Sequence, residues 1–210
     1  MSSQTKNKIL EAAQRVMADK GVAGMSHRAI AKSAGVRLSM TSYHLGSMDD
    51  ILEACFDDFA ERSLRHLDKL NSDLIAHLEK HGGRQENLSD TVQVLHGVID
   101  LLAQYIHDEV IDRNLDLALE CAFLYSYHLP EAIRHKVRDF DETMYAAASE
   151  LTRRFGSNDP ETDGRIIVKV IRQVEFDHLS NKRVPDMEYL RTILGRAMIG
   201  FVAASMIGIS

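Results

Sequence analysis

The stretch Ser26 to Leu52, SHRAIAKSAGVRLSMTSYHLGSMDDIL, constrains the fold more than any other part of the chain. It reads as two short helices about a glycine turn, then a second turn and the start of a long helix. Ser26 is placed to cap a helix over His27 to Ala34, whose inward positions are Ile30, Ala31 and Ala34. Small residues there let a neighbouring helix come close. Gly35 falls where the chain must leave the helix in a left-handed conformation, and Val36 plugs the gap before a second helix over Leu38 to His44. Two helices joined this way make a helix-turn-helix, whose second helix suits the DNA major groove.

The charge distribution agrees with that motif. Residues 1–48 carry Lys6, Lys8, Arg15, Lys20, Arg28, Lys32 and Arg37 against Glu11 and Asp19, a net of +5. The whole chain is −6, so the remainder carries −11. A basic N-terminal fifth on an acidic body suits a module that meets a polyanion, although clustering on a solvated face would give the same tally.

Arg28-Ala29-Ile30-Ala31 and Ala34-Gly35-Val36 are followed by Tyr43-His44-Leu45, Gly46-Ser47 and the acidic pair Asp49-Asp50 before Ile51-Leu52. In this pattern the chain resembles the TetR family of bacterial transcriptional regulators. It departs from the family at Ser42, where Tyr is common, at Leu45, where Phe is usual, and at Met48, which replaces a Lys. The resemblance implies an N-terminal DNA-binding domain over 1–47 and a helical effector-binding and dimerisation domain over 48–210. It also implies phosphate contacts from Arg28, Tyr43 and His44. From the residues themselves, Arg37, Leu38, Ser39, Met40 and Thr41 lie at the N-terminal end of the recognition helix. Arg37 could pair with guanine, and Met40 or Thr41 could meet a thymine methyl. Ser47 is expected to cap the next helix near a phosphate. Tyr43 and Leu45 have a second reading, as packing within the small domain.

The rest of the chain reads as all-α, about nine helices in total. Ile9, Ala12, Ala13, Val16 and Met17 form one stripe of a first helix over about Ser3 to Lys20. A long helix from near Met48 repeats Leu52, Phe56, Phe59, Ser63, Leu67, Leu70 and Leu74, and is expected to end at His81-Gly82-Gly83. Val92 to Ile106 forms another helix, and Glu109 to His128 the next. Pro130, Pro160 and Pro185 each precede an acidic residue and mark helix starts, since proline suits the first helical position and carboxylates suit the dipole. Those helices are expected to end near Phe155, Ser180 and Ile209.

The final helix is apolar around most of its circumference, with Gly195, Gly200 and Gly208 available for close approach. A homodimer is therefore expected through Ile167, Val170, Ile171, Val174, Leu190, Leu194, Ala197, Met198, Phe201 and Val202, the other reading being a central helix of one protomer's core. The apolar run Ala197 to Ile209 is too short for a membrane span, which needs about 20 residues. No apolar signal segment opens the chain, and Cys55 and Cys121 read as reduced thiols, so a cytoplasmic protein is expected.

The family resemblance implies a small-molecule effector among the middle helices. Tyr105, Phe123, Tyr127, His128, Tyr145 and Phe176 are the candidates, with core packing as the plainer role for each. His96, His107, Cys121 and His128 match no metal-ligand spacing, and neither a metal nor a cofactor is expected. There is no phosphate-binding glycine loop, G-x-S-x-G elbow or H-E-x-x-H, so an enzyme is not expected. The reading is a sequence-specific repressor of transcription on double-stranded operator DNA, released by its effector. A helical protein-interaction scaffold is the alternative, and leaves the basic N-terminal motif unexplained.

Overall fold

The computed structural model describes the backbone of residues 2–81 and 88–207, and side chains over 3–81 and 92–200. Among these residues there are nine α-helices and no strand. They are α1 (Ser2–Lys20), α2 (His27–Ala34), α3 (Leu38–Leu45), α4 (Met48–His81), α5 (Leu88–Ile111), α6 (Asn114–Leu124), α7 (Glu131–Arg154), α8 (Pro160–Asn181) and α9 (Met187–Ile207). A 3-10 turn, Val22–Gly24, which the sequence did not announce, joins α1 to α2. The expected stop at Gly82-Gly83 and the end of α9 beyond Ile207 lie outside the described residues.

Helix starts follow their caps. Asp159 accepts the Thr162 amide at 3.2 Å, with Pro160 at the first position of α8. That hydrogen bonding from Thr162 holds the Asp159 carboxyl below its ordinary pKa. Asp186 accepts the Glu188 amide at 2.9 Å and opens α9 two residues after Pro185. One expected boundary was misplaced. The Glu109 to His128 segment is not one helix, because the Asp108 carbonyl accepts both the Asp112 and Arg113 amides and closes α5 there. Glu109 and Ile111 belong to α5, and α6 ends at Leu124.

The chain divides into two compact units, and α4 and α7 each contribute to both. The first comprises 1–64 and 114–140, so the helix-turn-helix packs together with the first half of α4, α6 and the start of α7. Its core joins Ile9, Ala13 and Met17 of α1, Ile30 and Ala34 of α2, and Leu45 of α3 to Ile51, Phe56 and Phe59 of α4. Phe56 meets Phe123 edge-on at 5.1 Å between centroids, and Phe59 lies 5.4 Å from Phe140. Within this unit Arg62 donates to Asp116 of α6 through Nε at 2.9 Å and also pairs with Asp58. Gln14 of α1 donates to the same Asp58 at 2.7 Å. Burial opposes the charge on Arg62, but its hydrogen bonds to Asp116 and Asp58 hold its pKa above the ordinary value. Cys55, fully buried beside this network, has its thiol pKa pushed up to about 12 by desolvation, with Asp58 adding to the shift.

The second unit comprises 65–113 and 141–210. Val94, Val98, Leu102 and Ile106 of α5 are buried, as are Ile167 and Val174 of α8 and Leu190, Leu194 and Met198 of α9. Gly164 marks a close approach of two helices: a Cβ built there would lie 2.5 Å from the Ser149 backbone nitrogen of α7, so no larger side chain fits without separating them. No described helix is long and apolar enough to cross a membrane.

Two outcomes follow from the first unit. Asp116→Ala takes one of two carboxylates from the half-buried Arg62 guanidinium and should cost on the order of 2 kcal/mol, read as a lower urea midpoint. Cys55 should resist alkylation of the native protein at pH 8, about four units below its pKa, and react only on unfolding. A modified Cys55 peptide from folded protein would refute its packing.

Candidate nucleic-acid interface

The expected caps of α2 are present. The Ser26 hydroxyl accepts the Ala29 amide at 3.2 Å, and Gly35 adopts φ 63, ψ 40 as the chain turns toward α3. The Val36 amide then closes the turn on the Ala31 carbonyl at 3.0 Å.

Burial sorts α3 into two faces. Thr41 and Leu45 are buried inward, while Leu38, Ser39, Ser42 and Tyr43 are exposed, with Tyr43 at 81 %. Arg37 is exposed at the helix's N-cap, and Met40 and His44 are half-buried. Thr41 is therefore removed from the expected base contacts, since a residue with no exposed surface cannot present its methyl to a thymine. Its hydroxyl instead donates to the Leu38 carbonyl at 2.8 Å. That proton being committed, His27 Nδ1, 2.9 Å away, is the donor to the Thr41 oxygen. A polar side chain thus closes the α2–α3 contact with its hydrogen bonds satisfied. Ser42 was missed as an outward residue, although its position four after Leu38 places it on the same face.

Arg28 is exposed on α2. Tyr43 makes an edge-on contact with the His44 ring at 5.0 Å and is otherwise open to solvent, which removes its reading as a packing residue; Leu45 is core. Ser47 caps α4 reciprocally: its oxygen accepts the Asp50 amide at 3.2 Å, while its amide and hydroxyl both donate to the Asp50 carboxylate at 2.7 Å. These bonds hold the Asp50 carboxyl below its ordinary pKa. A carboxylate therefore already sits at this helix start, where the sequence reading had placed a phosphate.

The other expected sites are redistributed. Ile167, Val174, Leu190, Leu194 and Met198 are buried within a single chain, so they are core and not available to a second copy. Val170, Ile171 and Ala197 are half-buried, and the side chains of Phe201 and Val202 lie outside the described residues. The exposed apolar residues of these helices are Ile166 and Phe176 on α8, and Tyr189 and Ile199 on α9. Gly195 has room for a methyl against Ile99 and Gly200 faces open space, so neither marks a close approach within the chain; Gly208 lies outside the described residues.

The six effector candidates also separate. Phe123 is buried in the phenylalanine cluster, Tyr105 stacks on His66 at 4.8 Å, and Tyr145 lies under the Arg165 guanidinium at 4.3 Å. Tyr127 is 92 % exposed, and His128 and Phe176 are also exposed, so these three line no enclosed pocket. The second unit has a groove of 640 Å³ between α5 and α9, bordered by Leu95, Ile99, Arg191 and Ile199, and none of the six borders it. Among the described residues no acidic, His or Cys cluster could hold a metal.

A profile of the tetR family of bacterial regulatory proteins matches residues 9–55, which span α1 to the first turns of α4. Over that segment the chain is similar to the TetR family. Its fold is that of a TetR family member from Streptomyces coelicolor A3, at 24 % identity and TM-score 0.59 over 92 % of this chain and 97 % of that one. A transcriptional regulator from Rhodococcus sp. Rha1 shares the fold at 18 % identity and TM-score 0.63, over 95 % and 96 % of the two chains. The multidrug binding protein EbrR, in complex with malachite green, is 27 % identical with TM-score 0.53, over 91 % and 96 %. Among proteins with curated descriptions none matches the chain. The matched residues contain the helix-turn-helix of α2 and α3.

The His27–Thr41 bond yields a stability test. Thr41→Val preserves shape but leaves the His27 donor unpaired, so it should destabilise by about 1 kcal/mol, while Thr41→Ser should cost less. In a urea-unfolding cycle with His27→Ala the two losses should be non-additive; simple additivity would mean that no coupling exists.

Proposed function

We propose that this protein is a dimeric repressor whose α3 enters the major groove of an operator, and that a small-molecule effector releases it. The observation that carries the reading is the division of α3, with Thr41 and Leu45 committed to packing and Leu38, Ser39, Ser42 and Tyr43 left open. A helix with half its surface unpartnered, in a segment of net charge +5, suits a polyanionic groove. Arg37 would meet a base edge, with Leu38, Ser39 and Met40 beside it. Arg28, Tyr43 and His44 would hold the backbone, and Ser47 would set the start of α4 beside it.

One eight-residue helix reads few base pairs, so a two-fold pair of heads is needed for adequate discrimination. The exposed positions Ile166 and Phe176 of α8 and Tyr189 and Ile199 of α9 are the side chains we assign to the dimer contact, with Val170, Ile171 and Ala197 at its margin. Effector control is supported by the EbrR complexes with malachite green and with ethidium, the latter at 26 % identity and TM-score 0.54. The route from ligand to DNA would run through α4, which is continuous from the helix-turn-helix into the second unit.

Duplex selected from a random pool should bind with an affinity that falls steeply with salt. Arg37→Ala and Tyr43→Ala should weaken it at least tenfold, each without loss of helicity, and Arg28→Ala should lower the slope of log affinity against log salt by about one. No retained duplex even at low salt would instead favour a protein-binding scaffold. Ile199→Glu should shift the dimer to monomer by light scattering, and an unchanged mass would reject the interface. Ethidium or malachite green should raise the melting temperature and release bound duplex; a dye that does neither is not an effector.

A further inference from the structure

The outward face of α3 has a chemistry that narrows which base it can read. Leu38 is 51 % exposed in the first turn, with Ser42 one turn on and Ser39 beside it. The Ser42 hydroxyl donates to the Ser39 carbonyl at 3.3 Å, which leaves it only acceptor capacity toward a ligand. Neither Leu38 nor the serines can make the bidentate pairs that mark a purine, which need Asn or Gln for adenine and Arg or Lys for guanine. No carboxylate is present on this face to accept from cytosine. The one guanidinium is Arg37, at the N-cap.

Of the four bases only thymine offers an apolar group in the major groove, its C5 methyl. An exposed leucine is ordinary on a protein surface. This one sits between the cation of Arg37 and a pair of hydroxyls, on the open face of a helix whose other face is packed. Thr41, the residue whose methyl the sequence offered for this contact, is enclosed, and Met40 is half-buried. We infer that Leu38 reads a thymine methyl, so that each operator half-site carries a thymine at one position next to the base that Arg37 contacts. The inference rests on the proposed entry of α3 into the groove and adds the identity of the base read there. Recognition at that step then comes from apolar contact, and its energy resides in a single methyl group of the DNA.

The full-length protein is used to select duplex from a random pool, and each thymidine of the retained sequence is replaced in turn by deoxyuridine, which lacks only the methyl. At one position per half-site the replacement should weaken binding about fourfold, the worth of one buried methyl. Leu38→Ala should weaken binding to the thymidine duplex and bring the thymidine-to-deoxyuridine ratio at that position to about one, leaving the ratio elsewhere and the melting temperature unchanged. If no thymidine is sensitive, or if Leu38→Ala keeps the fourfold ratio, the inference fails while DNA binding stands. If no duplex is retained at all, the entry of α3 into the groove fails with it.

Discussion

The first unit depends on the guanidinium of Arg62. It lies on α4 between Asp58 of its own helix and Asp116 of α6, and Asp58 also receives the Gln14 amide from α1. Taking such a charge out of water is expensive, and bidentate pairing with a largely buried carboxylate is what offsets the loss. Arg62 ties α4 to α6 through Asp116 and, by way of Asp58 and Gln14, to α1. On the exposed side Lys136 of α7 reaches Asp57 at 2.6 Å and Glu53 at 2.8 Å, and those hydrogen bonds, Asp57 first, raise its pKa. Being open to solvent, that cluster contributes far less than the Arg62 network.

With the first helix held this way, the helix-turn-helix is not a free-standing module. Ile9, Ala13 and Met17 of α1 are fully buried, in one unit with α4, α6 and the first part of α7. The exposed face of α3 lies within residues 1–47, but the unit that contains it draws on residues as far along the chain as Phe140. A small domain buries too little surface to be stable unaided, and the additional helices supply what the three short ones lack.

Legibility in the sequence followed how local each cause was. Ser26, Gly35, Pro160 and Asp186 act on their own neighbours, and the helix boundaries they imply are found within a residue or two. The long α4 was legible because its period persists over many turns, with Leu52, Phe56, Phe59, Ser63, Leu67 and Leu74 all buried. The α5–α6 break was not, since it depends on carbonyl sharing at Asp108 with no glycine or proline to announce it. Thr41 was misread for a related reason. A threonine in a recognition helix looks like a base contact until a partner such as His27, fourteen residues away, shows that its hydroxyl is satisfied inside. Leu190, Leu194 and Met198 were misassigned because an apolar helix looks the same from sequence whether its own chain or a second copy covers it. The effector residues were the least legible, because a pocket is made by distant elements and leaves no local pattern.

The same surface divides affinity from discrimination. All seven lysines and arginines of residues 1–48 are exposed, yet only Arg37 adjoins the outward face of α3. Arg15 spends part of its charge on Glu11 at 3.8 Å, an exposed pair of little consequence. The other cations are spread over α1 and α2. Attraction to any duplex would then be supplied by residues indifferent to sequence, and would be screened by salt. On the proposed reading, selection among duplexes would fall to a leucine, two serines and one arginine, whose contacts are short-range. A reader built this way would gain specificity by shape and by the placement of methyl groups, and would lose it if α3 turned by a fraction of its circumference. The hydrogen bond that ties Thr41 to His27 resists that rotation, and it sits on the opposite face from the residues whose aim it preserves.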